Sequence, residues 1–159
     1  MKDFLLFLPL TIVYLVLKST IFPSVPIPDV PLLIVFYLAY TRPSVEGALL
    51  GFAIGYIEDA FTAGIFGSTS FSLVVIFVLV HLLSRKVHFS TPMMRAGAAA
   101  ALTLLKGALI YTILSFTDFD VPFIGRFVFQ AVITGAFAPA IITLFARLTR
   151  MASPHTFER

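Results

Sequence analysis

The chain has 159 residues, of which 59% are hydrophobic and only 12% charged, with a formal net charge of +3 and a mean hydropathy of +1.02. A soluble domain carries about 25% charged residues, so this chain lacks the polar side chains to cover a water-facing surface and a soluble enzyme or a disordered chain is excluded. With no cysteine and three scattered histidines, disulfides, thiolate metal sites and cysteine nucleophiles are excluded too. The composition points to a polytopic membrane protein in one domain, residues 1–150, with a polar tail at 151–159. The basic residues then set orientation rather than bind nucleic acid.

A crossing helix needs ~20 mostly apolar residues. The first run covers residues 4–22, interrupted by Lys18 and closed by Pro23. Lys2 before an apolar run imitates a signal peptide, but no small-residue cleavage pattern follows, and the run reads as an uncleaved span. Pro23, Pro26, Pro28 and Pro31 keep the following stretch from forming regular helix. The second run, 30–41, reaches only ~18 Å and reads as a partial or thin span, extended by the entry at 27–29. The third, 44–63, has Ser44 as N-cap and ends before Gly64 and Gly67. The fourth is 68–84. The fifth, 92–116, opens on Thr91 as N-cap with Pro92 at the first helical position. The sixth, 121–149, contains Pro139, at which a kink is expected.

Six crossings put Lys2, Arg42, Arg85, Lys86, Arg95, Arg147, Arg150 and Arg159 on one side. The connections on the other side have no Lys or Arg but carry Asp29, Asp118 and Asp120. By the positive-inside rule the basic side is cytoplasmic, and both termini lie there.

The ionisable residues within the spans are informative, because charge is costly in hydrocarbon. Lys18, Glu58 and Lys106 each lie 14 residues, ~21 Å, from the basic end of their span; Asp59 is one residue higher, and Arg126 lies ~8 Å in from the other end. All five fall at nearly one level, so Glu58 and Asp59 are expected to pair with two of Lys18, Lys106 and Arg126, the alternative being that each cation snorkels to the headgroups. Gly47, Gly51 and Gly55 form a small-residue stripe suited to close helix packing within the chain or against a partner, with Ala131 and Gly135 a weaker version. Asp29, just before the short second helix, is a candidate cap of its N-terminus, with anion capture by that terminus as the alternative. His81 and His88 flank the cytoplasmic end of the fourth span and read as interfacial residues. No phosphate loop, metal-ligand pair or nucleophile elbow occurs, and adjacent Glu58 and Asp59 point ~100° apart on a helix, so they do not converge on one substrate. Neither an enzyme nor a cofactor is indicated.

The ordered set Pro28-Asp29-Val30-Pro31-Leu32-Leu33, Arg42-Pro43, Glu46-Gly47 through Gly51 and Gly55 to Glu58-Asp59, then Gly64 and Gly67, resembles the rod shape-determining protein MreD family across residues 28–75. The additional Pro31 departs from the family's lead-in. The resemblance implies a non-enzymatic inner-membrane scaffold of the bacterial elongation machinery. Its implied partners are MreC, the actin-like MreB, the glycan polymerase RodA and a class B penicillin-binding transpeptidase, and its implied role is support of side-wall peptidoglycan synthesis and cell shape. It further implies a six-helix fold similar to the substrate-binding subunits of energy-coupling-factor transporters. A vitamin-type transport subunit is therefore the alternative function.

Overall fold

A computed structural model describes residues 2–21, 27–62, 65–87, 91–116 and 124–152. They form six helices: α1 (Lys2–Ile21), α2 (Val30–Thr41), α3 (Val45–Thr62), α4 (Ser68–Ser84), α5 (Pro92–Ser115) and α6 (Ile124–Ala152). The protein is all-helical among the described residues. Each helix lies close to the apolar run that encodes it, and the shifts are at the ends. α6 runs to Ala152, past the residue 149 expected, and continues without interruption through Pro139. Residues 121–123, Gly64, His88 and residues 153–159 lie outside the described residues.

The second helix organises the rest. α2 has no polar face, and Pro31 through Ala39 are all buried. A helix that is apolar on every side must be wrapped on every side, and α2 packs against all five of the others. Its 12 residues rise ~18 Å, short of a ~30 Å hydrocarbon core, and its contacts on every side make it the central helix of the bundle.

Ring and ion contacts fix the direction of each helix. At one end, Phe7 of α1 meets Phe145 of α6 edge-on at 5.5 Å and Tyr37 of α2 at 6.1 Å. The Arg95 guanidinium of α5 lies 6.0 Å from the Tyr40 ring, and Gly47 of α3 faces the Phe77 ring of α4. This aromatic end therefore gathers the starts of α1, α3 and α5 with the ends of α2, α4 and α6. Successive helices run antiparallel, as short connections require.

The α3–α4 and α5–α6 hairpins are closed by glycine. A Cβ on Gly55 would lie 2.5 Å from the Ser70 Cα, so the two helices meet backbone to backbone there. Gly107 accommodates the Phe127 ring, and Gly135 accommodates Ala96 and Ala100. At the α3–α4 turn Gly67 takes a left-handed φ of 97°, a conformation that costs L-residues with a Cβ. Thr91 caps α5 as its sequence predicts, accepting the Met94 N–H at 3.4 Å.

The surface is apolar. Val45, Leu49, Phe52 and Tyr56 of α3, Phe71, Val78 and Leu82 of α4, and Val132 and Phe137 of α6 are all exposed. Exposed hydroxyls turn inward on their own helices: Thr112 donates to the Ala108 carbonyl, Ser115 to Tyr111 and Thr143 to Pro139, at 2.7–2.8 Å. Two helical stretches, Pro92–Ser115 and Phe127–Met151, are long and apolar enough to cross a membrane.

A buried polar node as candidate functional site

At the end of the bundle opposite the aromatic cluster, all six helices meet at polar groups. Lys106 projects from α5 into the bundle, where its Nζ donates to Asp29 Oδ2 at 2.8 Å and to Glu58 Oε2 at 3.0 Å. Lys18 of α1 approaches the other Glu58 oxygen, Oε1, at 3.7 Å. Two carboxylates and two ammonium groups thus form a chain of alternating sign with no formal net charge. Asp29, Glu58 and Lys106 are buried, while Lys18 is partly exposed at 29% of its side chain.

The backbone around Asp29 explains how a carboxylate is held so deep. Asp29 precedes the first turn of α2, where its Oδ1 accepts the Leu32 N–H at 3.2 Å as an N-cap. Its own N–H donates to Thr134 Oγ1 of α6 at 3.0 Å, and the Tyr14 hydroxyl of α1 donates to the Pro28 carbonyl at 2.5 Å. Pro31 sits in the first turn, where its missing N–H costs no helix hydrogen bond. Both carboxylate oxygens and the backbone N–H of Asp29 are therefore partnered, as burial demands.

Asp59 does something different from Glu58. It turns to the start of α4: its Oδ2 accepts the Gly67 N–H at 2.8 Å, both oxygens accept the Thr69 N–H at 3.2 Å, and the Ser68 hydroxyl lies at 3.4 Å. Gly67 occupies the N-cap position and has no side chain to cap with. Asp59 supplies that oxygen from the preceding helix, and its charge meets the positive end of the α4 dipole. Among the described residues Asp59 thus caps α4 and pairs with neither Lys18 nor Lys106; the expected alternative, Arg126, has its side chain outside them.

Of the five residues expected at one level, the structure brings Lys18, Glu58 and Lys106 together. It places Asp59 one step aside. Arg126 lies on α6, and its side chain is outside the described residues. Asp29, expected as a cap, is a cap and also an ion-pair partner. Tyr14 and Thr134 were not anticipated; Tyr14 precedes Lys18 by four residues, one helical turn, so it shares that face.

The glycine stripe is used inside the chain. Gly47 and Gly55 face α4, and Gly51 faces Val35 of α2 at 3.3 Å from its would-be Cβ. All three are buried. His81 has a buried Nδ1 with no hydrogen-bond partner among the described residues. No group of three or more metal-ligating side chains occurs among the described residues.

Comparison with curated proteins and with solved structures finds no match. The family model for rod shape-determining protein MreD matches residues 3–151. That span takes in all six helices but for the first residue of α1 and the last of α6, and every residue of the node, and the chain belongs to the MreD family of rod shape-determining proteins.

Proposed function

We propose that this chain is a multi-pass scaffold of the bacterial inner membrane that holds the cell-elongation machinery together, with both termini in the cytoplasm. The observation that carries the reading is the inversion of polarity. Ionised and hydrogen-bonded groups are buried at the node, while Leu, Val and Phe cover the outside of the helices. A surface of that kind is tolerated where the solvent is lipid. Arg42, Arg85, Lys86, Arg147 and Arg150 are exposed toward the aromatic end of the bundle, which supports assigning that end to the cytoplasmic leaflet and its anionic lipid.

Within this reading the work is binding. The lipid-facing helix surfaces hold the membrane span of MreC, and through it the chain supports MreB, RodA and the class B transpeptidase in side-wall peptidoglycan synthesis. The saturation of the node favours a scaffold over a vitamin-type transport subunit. Asp29, Glu58 and Lys106 direct their charged groups at each other, and a ligand entering between them would have to break those bonds.

The test is affinity capture of the full chain from native membranes in mild detergent, with mass spectrometry of the bound chains. Recovery of MreC at near-equal amount is expected. Recovery without MreC, together with thermal stabilisation by a small vitamin, would transfer the reading to transport.

A further inference from the structure

The helices differ in length in a way that is organised by hairpin. α3 and α4 have 18 and 17 residues, rising ~27 and ~25 Å, below a ~30 Å hydrocarbon core. α5 has 24 residues, ~36 Å, and packs with the 29-residue α6. The difference lies at the node end. Past Lys106, α5 continues for nine residues to Ser115, ~13 Å. Past Glu58, α3 continues only to Thr62, and α4 begins at Ser68 with its first N–H groups on Asp59.

The side chains at that height differ as well. On the short side the turn bears Phe66, 64% exposed and tilted against half-exposed Tyr56 at 5.8 Å. Ser19, Thr20 and Thr62 are exposed there, and Lys18 is the member of the node that reaches the surface. On the long side α5 exposes Ala108 and Tyr111 at and above the same height, and its hydroxyls at Thr112 and Ser115 are bound to their own helix. Tyrosine favours the headgroup boundary, and a lysine beside it can reach phosphate oxygens.

We propose that the α3–α4 face is a docking surface for phospholipid headgroups drawn inward. On this face the leaflet at the node end thins until its headgroups meet residues 65–67 and Lys18, while the α5–α6 face keeps a leaflet of ordinary depth. A short hydrophobic stretch thins the bilayer that surrounds it, and here the short stretch occupies one side only. The inference rests on the membrane reading proposed above. Its consequence is a scaffold that tilts the local leaflet and selects for neighbours, lipid or protein, whose hydrophobic length matches one side.

The chain has no cysteine, so single labels are unambiguous. Phe66→Cys, Tyr111→Cys and Leu104→Cys, each at an exposed position, carry a nitroxide in phosphatidylcholine vesicles, and collisions with oxygen and with a water-soluble nickel chelate are compared. Phe66 touches the Tyr56 ring and adjoins Gly67, whose N–H is on Asp59, whereas Tyr111 is five residues beyond Lys106, ~7.5 Å, so position along the bundle alone would put Phe66 deeper than Tyr111. The proposal expects the reverse order of chelate access: several-fold higher at 66 than at 111, with 104 oxygen-dominated. Should Phe66→Cys disturb folding, Phe61→Cys on the same exposed surface gives the same reading. Oxygen-dominated collisions at 66, with 111 nearer to water, would overturn the thinning and leave the membrane reading standing. Chelate access at 104 as well would overturn both.

Discussion

Lys106 Nζ and Asp29 Oδ2 meet at 2.8 Å across 77 residues of sequence, joining the middle of α5 to the first turn of the buried α2. The bond is the means by which a helix with no polar face of its own acquires a fixed height in the bundle. Apolar packing resists withdrawal of α2 but is tolerant of sliding, whereas a buried ion pair has one satisfactory register.

Removal of one partner is therefore expected to be costly. Lys106→Met takes the Lys106 ammonium from buried Asp29 and, among the described residues, leaves Glu58 with Lys18 at 3.7 Å. Breaking a buried pair in this manner costs about 3–5 kcal/mol, much of it the penalty of the abandoned charge. The triple substitution Lys106→Met, Asp29→Asn, Glu58→Gln removes that charge and is expected to recover part of the loss. Reversible unfolding in mixed detergent measures both. Equal stability of Lys106→Met and the unsubstituted chain would show that water reaches the node.

Asp59 and Glu58 are neighbours in sequence with separable roles. Asp59→Ala removes the cap of α4 and is expected to destabilise by about 1–2 kcal/mol, while Asp59→Asn keeps an acceptor and loses less. Glu58→Gln acts on the ion node instead. The two effects should be distinguishable by hydrogen exchange: Asp59→Ala frees the amides of Gly67 and Thr69 locally, and Glu58→Gln leaves them protected. Loss of protection at those amides in both variants would mean that turn and node open as one unit.

Much of this arrangement was legible in the sequence. Apolar length and cap residues located the six helices, and counting helix rise from the basic ends brought Lys18, Glu58 and Lys106 to one height. That count works because a charge inside an apolar helix needs a partner, and the partner must come from the same depth. The destination of Asp59 was not legible. Helical periodicity says that it points ~100° away from Glu58, but the group that receives it is the backbone of a turn whose shape depends on the left-handed Gly67. The Asp29–Thr134 bond spans 105 residues, and no local pattern announces such a contact. Charge asymmetry counts α2 as a crossing and is blind to whether a helix touches lipid. The uniform hydrophobicity of α2 was the signal for full burial. The glycine stripe showed a need for close packing but not whose backbone would come close.

The glycines can be ranked by what a methyl group would meet. At Gly55 the obstacle is the backbone of Thr69 and Ser70, which cannot rotate away; at Gly51 it is the Val35 side chain at 3.3 Å; at Gly97 nothing lies within 4 Å. Gly55→Ala is therefore expected to force α3 and α4 apart, costing about 1–3 kcal/mol as overpacking does. Gly51→Ala should cost less, because a valine can adjust. Gly97→Ala, in the interior of α5, should stabilise by about 0.5–1 kcal/mol through helix propensity alone. Thermal unfolding of the three single variants in one detergent gives the order directly. If Gly55→Ala proved as benign as Gly97→Ala, the backbone contact between α3 and α4 would be looser than described. A partner chain that protected only the Gly51 variant would return part of the stripe to an intermolecular role.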